Sequence, residues 1–152
     1  MDRQDVAQQM QVEHELLQYL IQGLRDTVAW QVPGPDASRK LSTLRFIAQS
    51  FQRHLERLLA MEEYDGYMGL VWASCPRLSR ATDALRAEHE GFRTQARRIA
   101  QRLERLPGTD LAALGQVCAE VLALLGQVEG HSRKEMALLQ EAFEQDEGGG
   151  EG

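Results

Sequence analysis

The sequence predicts an all-α protein, an antiparallel, up-down-up-down four-helix bundle. In four long segments, apolar residues recur every three or four positions, which is the spacing of the buried face of an amphipathic helix. Proline and glycine separate the first segment from the second at 32–36, and the third from the fourth at 107–110. Because short connections between long helices produce antiparallel hairpins, we expect two hairpins packed against each other.

The first hairpin is formed by the first two predicted helices. The stripe of the first helix consists of Met10, His14, Leu17, Ile21, Leu24 and Val28. After the break, Asp36 or Ser38 can cap the second helix by accepting a hydrogen bond from a free backbone N–H. The stripe of the second helix consists of Leu41, Leu44, Ala48, Phe51, His54 with Leu55, Leu58, and Met61 with Glu62.

The second hairpin follows the same plan. The stripe of the third helix consists of Leu78, Thr82, Leu85, His89, Phe92, Ala96, Ile99, Leu103 and Leu106. Thr109 or Asp110 is expected to cap the fourth helix. The stripe of the fourth helix consists of Leu114, Val117, Val121, Leu124, Val128, His131, Glu135, Leu138 and Ala142.

Two segments lie outside these helices. The connection at 64–76 is too apolar for a solvated loop, so we expect a turn or short helix over one end of the bundle, with Tyr67, Met68 and Trp72 covering the core. Such a segment is either an ordinary hydrophobic lid or one that brings a tyrosine close to a metal. Residues 144–152 lack apolar anchors and are predicted to form an acidic, disordered tail, which leaves 1–143 as the single domain.

The histidines are the most informative residues. The chain has 4 of them, and one falls on the apolar stripe of each predicted helix. A single histidine on such a stripe is usually a core residue bonded to a backbone carbonyl, but all 4 together favour a metal site. Glu135 lies four residues after His131 on the same face, and a carboxylate in a core needs a partner or a cation.

Composition narrows the possible partners and the location. A net charge of -6, with arginines scattered among acidic residues, argues against nucleic acid as a partner. The 2 cysteines are expected to be reduced thiols. We find no signal peptide and expect no membrane span, which predicts a soluble, cytoplasmic protein. Nothing in the sequence identifies a protein partner or an oligomeric state.

The order of these motifs resembles the hemerythrin-like (HHE cation-binding) family, in which a lone histidine helix is followed by a His-x-x-x-Glu helix, twice over. The resemblance runs from about Val12 to Phe143, and its strongest pieces are Glu88 with His89, the stretch 131–135 and the stretch 62–68. It implies a pair of iron ions in the bundle core and binding or sensing of oxygen, nitric oxide or iron. The implied metal ligands are His14, His54, Glu62, His89, His131 and Glu135.

The chain also departs from the family pattern. Leu58 stands four residues after His54, where a carboxylate is expected. The nearest carboxylates are Glu62 and Glu63, and of these two Glu63 is expected to face solvent. Either His54 is level with the other ligands, or Leu58 and Glu62 correspond to His131 and Glu135. Arg93 replaces the further histidine of oxygen-carrying members, which favours a carboxylate-containing mononuclear or dinuclear centre. Imidazole with carboxylate also suits zinc, manganese or cobalt.

Three functions follow from these features. The leading hypothesis is a non-enzymatic metal-binding protein that binds or senses a small diatomic ligand, or holds iron. The second is an enzyme, a di-iron oxidase or peroxidase, although no substrate pocket can be identified from the sequence. The third is a metal-depleted bundle that serves as an interaction or regulatory domain, and Leu58 supports it because decay of a ligand position would leave such a residue.

Overall fold

A computed structural model describes residues 3–64 and 66–148, and this part of the chain contains helices and no strand. In chain order its elements are α1 (Arg3–Ala29), α2 (Ser38–Tyr64), α3 (Tyr67–Ser74), a 3-10 turn (Pro76–Leu78), α4 (Ser79–Arg105) and α5 (Leu111–Gly148). The four long helices correspond to the four predicted segments. The all-α prediction is therefore confirmed.

The caps resolve two alternatives that the sequence leaves open. Asp36 accepts hydrogen bonds from the hydroxyl of Ser38 and, over 2.9 Å, from its backbone N–H, and both lower the pKa of the Asp36 carboxyl. Asp110 accepts one of 3.1 Å from the backbone N–H of Ala113 at the start of α5. Acidic side chains thus satisfy free N–H groups ahead of both helices.

The long helices share one apolar core. α2 packs against both α1 and α4, and α4 packs against α5, whereas the contact between α1 and α5 is less extensive. The predicted stripes supply most of the core, in which Leu44, Leu103 and Val117 are fully buried. Leu125, outside the predicted stripe of α5, is fully buried as well. At the level of Gln18, Arg25 and Glu129, side-chain hydrogen bonds connect α1 to α5.

The middle connection forms the short helix α3, which lies against all four long helices. Tyr67 and Met68 are buried, as predicted, but Trp72 is 56% exposed and does not cover the core. The helix is apolar around its circumference, so its sequence has no periodicity to indicate which residues point inward.

The last helix is longer and more apolar than expected. α5 ends at Gly148, so it includes part of the predicted tail, and residues 149–152 lie outside the described part of the chain. By length and composition alone, Leu111–Glu144 of α5 is long and apolar enough to cross a membrane, with a mean hydropathy of 1.7 over its most apolar 18 residues. We had expected no membrane span, so this property of α5 differs from the prediction. One such helix is only a weak indication, because the core helix of a soluble protein passes the same test.

Candidate metal centre

Four polar side chains meet in the core near the end of the molecule covered by α3. They are Glu62 from the last turns of α2, His89 from the middle of α4, and His131 with Glu135 from α5. All four are at most 3% exposed, and each offers one ligand atom within 4.8 Å of the others. The spacing of four residues places His131 and Glu135 on one helix face, as the sequence predicts.

Three of the distances between these ligand atoms are equal. His89 Nε2 lies 3.2 Å from His131 Nε2. Glu62 Oε2 is 3.2 Å from His89 Nε2, and Glu135 Oε1 is 3.2 Å from His131 Nε2. A divalent ion about 2.0–2.1 Å from each atom would hold neighbouring ligand atoms about 2.9–3.4 Å apart. The observed separations therefore fit a single ion bound by two nitrogens and two oxygens.

The outer nitrogens of both histidines are held by carboxylates from other helices. His89 Nδ1 donates to Glu63 Oε1 over 2.8 Å, and His131 Nδ1 donates to Glu88 Oε2 over 2.5 Å. A carboxylate only accepts hydrogen bonds, so each Nδ1 carries a proton and, in the neutral imidazole, each Nε2 presents a lone pair. Two facing lone pairs repel unless a cation or a proton lies between them.

Basic residues in turn hold these two carboxylates. Arg93 contacts both oxygens of Glu63 at 2.9 Å, and Lys134 Nζ donates to Glu88 Oε1 over 2.8 Å. Burial opposes ionisation of Glu63 and Glu88, but the hydrogen bonds from these basic residues and the histidines lower the pKa of both. Both carboxylates are therefore charged acceptors, which fixes the orientation of the rings.

The sequence did not predict the roles of Glu63 and Glu88. It assigned Glu63 to the solvent, and this is wrong, because the Glu63 side chain is only 8% exposed. The available signal was the position of the charges, since Glu63 and Glu88 each directly precede or follow a ligand residue in the sequence. Their partners lie on other helices, however, and one sequence does not show such pairs.

Glu62 is the least satisfied group of the cluster. Its side chain is fully buried, and within the described residues neither of its oxygens has a hydrogen-bond partner. Burial, and then the charge of Glu135, raise the pKa of the Glu62 carboxyl well above its usual value. A carboxylate in this position needs a proton or a cation.

Glu135 differs from Glu62 because it has a hydrogen-bond donor. The Tyr67 hydroxyl donates to Glu135 Oε2, so the predicted lid does bring a tyrosine to the cluster. Burial alone would raise the pKa of Glu135, but its contacts with His131 and Tyr67 lower it. Conversely, burial alone would lower the pKa of His131, whereas its contacts with Glu135 and Glu88 raise it.

His14 lies at the margin of the cluster. Its Nε2 is 3.5 Å from Glu62 Oε1 and 3.8 Å from Glu135 Oε1, and it has no hydrogen-bond partner in the described part of the chain. The side chain is 12% exposed, and burial lowers the pKa of the ring. His14 Nε2 thus faces Glu62 Oε1, whereas His89 Nε2 faces the other oxygen of the same carboxylate.

His54 is not brought to the cluster. Its Nε2 lies 3.1 Å from the backbone carbonyl of Glu13, and its Nδ1 lies 3.3 Å from Arg57. Its eight-residue separation from Glu62 along α2 is about 12 Å of rise, which is too far for both to bind one ion. Leu58, buried one turn before Glu62, occupies the level that His131 occupies before Glu135 on α5. The second of the two predicted registers is therefore the one observed.

The cluster can bind a transition metal through two imidazoles and two carboxylates, a donor set that suits zinc, iron, manganese or cobalt. Comparisons of the chain with protein-family models, with curated proteins and with solved structures found no match.

Proposed function

We propose that the protein binds a divalent transition metal ion through Nε2 of His89, Nε2 of His131 and the carboxylates of Glu62 and Glu135. One observation carries the proposal. The two Nε2 atoms face each other at 3.2 Å while carboxylates hold both Nδ1 atoms. An ion between them would remove the repulsion of the lone pairs and also neutralise Glu62, whose buried oxygens otherwise have no partner among the described residues.

We further propose that the metal is iron and that the chain forms a hemerythrin-like, antiparallel four-helix bundle. The support is that His14 faces one oxygen of Glu62 and His89 faces the other. A second ion could share the two carboxylates and use His14, which would give a dinuclear centre. It would have one imidazole, fewer than the first ion, and so an open position for a small ligand such as oxygen or nitric oxide.

A metal-free helical bundle is the competing function, and Leu58 favours it. With Leu58 in place of a ligand, a proton on His131 could take the place of the ion, since the contacts with Glu135 and Glu88 raise the pKa of that ring. The domain would then act through its surface. The two possibilities differ in whether an added metal stabilises the protein.

Metal titration distinguishes them. Protein stripped of metal is titrated with Co²⁺, Zn²⁺ and, without oxygen, Fe²⁺, and metal content and the melting temperature are measured. We expect tight binding of one ion per chain and a rise in stability, about 2.7 kcal/mol at a hundredfold excess over Kd. His131→Ala should abolish tight binding, whereas the control His54→Ala should retain it. No uptake and an unchanged melting temperature with all three metals would refute the proposal and support the metal-free bundle.

A further inference from the structure

Two surface grooves reach the cluster from different sides of α5. The first lies between α1 and α5, has a volume of about 420 Å³, and is lined by His14, Leu17, Ile21, Ser132, Met136 and Ala137, among others. The second lies between α4 and α5, has a volume of about 430 Å³, and is lined by Glu88, Gly91, Phe92, Gly130, His131 and Lys134, among others. Their similar sizes mean that volume alone does not indicate which one leads to the ligand atoms.

The groove between α4 and α5 ends at atoms that are already engaged. The ring nitrogen of His131 on this side is Nδ1, which Glu88 holds, and Glu88 is held in turn by Lys134. Phe92 packs edge-on against the His131 ring, with 5.1 Å between the centroids. An ion arriving here would have to displace this ion pair. A basic residue lines each groove, Lys134 here and Arg133 between α1 and α5, so the difference lies in the engaged Nδ1 atom and not in surface charge.

The groove between α1 and α5 ends at atoms that are free to bind. His14 is more exposed than the four residues of the cluster, yet its Nε2 is buried and has no hydrogen-bond partner in the part of the chain that is described. Beyond it, at 3.5 Å and 3.8 Å, lie Glu62 Oε1 and Glu135 Oε1. These two carboxylates lie beyond the groove itself, and they make its His14 end attractive to a cation.

We infer that the groove between α1 and α5 is the route by which the metal ion reaches the cluster, with His14 as the first ligand that the ion meets. The inference rests on the proposed metal-binding function. The ion would bind His14 Nε2, pass to the shared carboxylates and then reach His89 and His131. The limited contact between α1 and α5 leaves this seam open, in contrast to the closely packed seams on either side of α2.

Filling each groove tests the inference. Ala137 is exposed in the first groove, and Gly91 is exposed in the second, where an added Cβ would meet no atom within 4 Å. Ala137→Trp should slow Co²⁺ loading and chelator-driven release equally, by about tenfold, and leave Kd unchanged, because a narrowed path alters both rates without altering the end states. Gly91→Phe, the matched control, should leave both rates unchanged. Ala137→Leu gives a smaller block if the tryptophan variant folds poorly.

Each other outcome has a distinct meaning. Slower loading in Gly91→Phe but not in the Ala137 variants would overturn the inference and assign the route to the groove between α4 and α5. Unchanged rates in all variants would overturn it as well, since the ion would then enter by separation of the helices. A wild-type protein that takes up no Co²⁺ would defeat the proposed function itself, and is thus distinguishable from failure of the route alone.

Discussion

Two carboxylates that do not face the centre of the cluster, Glu63 and Glu88, determine how its histidines present their nitrogens. Each accepts a hydrogen bond from an Nδ1 and is itself held by a cation, so each ring is fixed in one tautomer and one orientation. Such partners also raise the basicity of a metal-binding imidazole. They should therefore affect metal affinity although they would not touch the ion.

We predict that Glu63→Gln and Glu88→Gln each weaken Co²⁺ binding by about 10–100-fold. The neutral amide keeps an acceptor of similar shape but loses the charge that favours the Nδ1 proton. Binding would be followed by the visible spectrum of Co²⁺. Glu90→Gln is the matched control, because Glu90 lies beside His89 but is 75% exposed, and it should bind like the wild type. Equal affinities in all four proteins would show that the outer carboxylates are only structural.

We also predict that metal binding releases protons. In the ion-free protein the pKa of Glu62 is raised by burial and the nearby charge of Glu135, and contacts with carboxylates raise the pKa of His131 despite its burial. Groups with raised pKa values hold their protons to a higher pH than usual, and a bound ion must displace those protons. Affinity should accordingly rise between about pH 6 and about pH 8, with about one to two protons released per ion. Calorimetry in two buffers of different ionisation enthalpy measures this number, and a value of zero would contradict the assignment of these ligands.

Within a single helix, the sequence predicts the buried positions, because they recur with the helical period. The stripe of α4 is apolar except at Thr82 and His89, and its predicted positions up to Leu103 are buried. The breakers likewise indicate where the long helices end. Periodicity extends to the ligands that lie on one helix, which is why His131 and Glu135 could be recognised together.

How far one helix is shifted along its axis relative to another does not follow from periodicity, so it could not be predicted. The sequence leaves both His54 and Leu58 as candidates for the level of the cluster, because the offset between two helices depends on how their side chains interlock. The structure places Glu62 in the cluster and leaves His54 against a backbone carbonyl. Contacts between helices, such as those of Glu63 and Glu88, are hidden for the same reason.

Gly66, between α2 and α3, lies close to the backbone of Met61 and Glu62 at the end of α2. A Cβ on Gly66 would lie 2.6 Å from the carbonyl oxygen of Met61 and 2.8 Å from the Cα of Glu62, and both are backbone atoms that cannot move aside cheaply. Gly66→Ala should therefore destabilise the protein by about 1–3 kcal/mol and weaken metal binding, because the strain falls on the backbone of a ligand.

Gly69→Ala, in α3 itself, is the comparison. An added Cβ there would meet nothing within 4 Å, so alanine should be neutral or stabilise the helix by up to about 1 kcal/mol. Chemical denaturation and Co²⁺ titration of both variants test the pair. If the two variants proved equally stable, the close approach of α3 to the end of α2 would be wrong.

At the scale of the whole molecule, the cluster connects elements that are distant in sequence. Glu62 comes from the first predicted hairpin, and His89, His131 and Glu135 come from the second, so an ion bound by all four would tie the two hairpins together. α1 contributes only His14, at the margin. Removing the ion should therefore loosen the contact between hairpins more than it loosens either hairpin alone.

The two hairpins differ at the cluster mainly by one residue. α5 presents His131 and then Glu135 one turn later, whereas α2 presents Leu58 and then Glu62. Leu58→His would add an imidazole one turn before Glu62, and Glu62 Oε1 lies 3.5 Å from His14 Nε2, which has no hydrogen-bond partner in the described chain. A second ion would then have two imidazoles and the shared carboxylates as ligands.

We predict that Leu58→His raises Co²⁺ binding from one ion per chain to two, or tightens a weak second site by at least about tenfold. Without metal the variant should be less stable than the wild type, since it buries a polar ring in place of an aliphatic side chain that is 1% exposed. Leu58→Ala, which removes apolar volume without adding a nitrogen, should show the loss of stability but no gain of metal. Metal analysis after gel filtration and melting curves with and without Co²⁺ separate the two effects. If Leu58→His gained no second ion while still binding the first, His14 and the shared carboxylates would not form a second metal position. The centre would then be mononuclear.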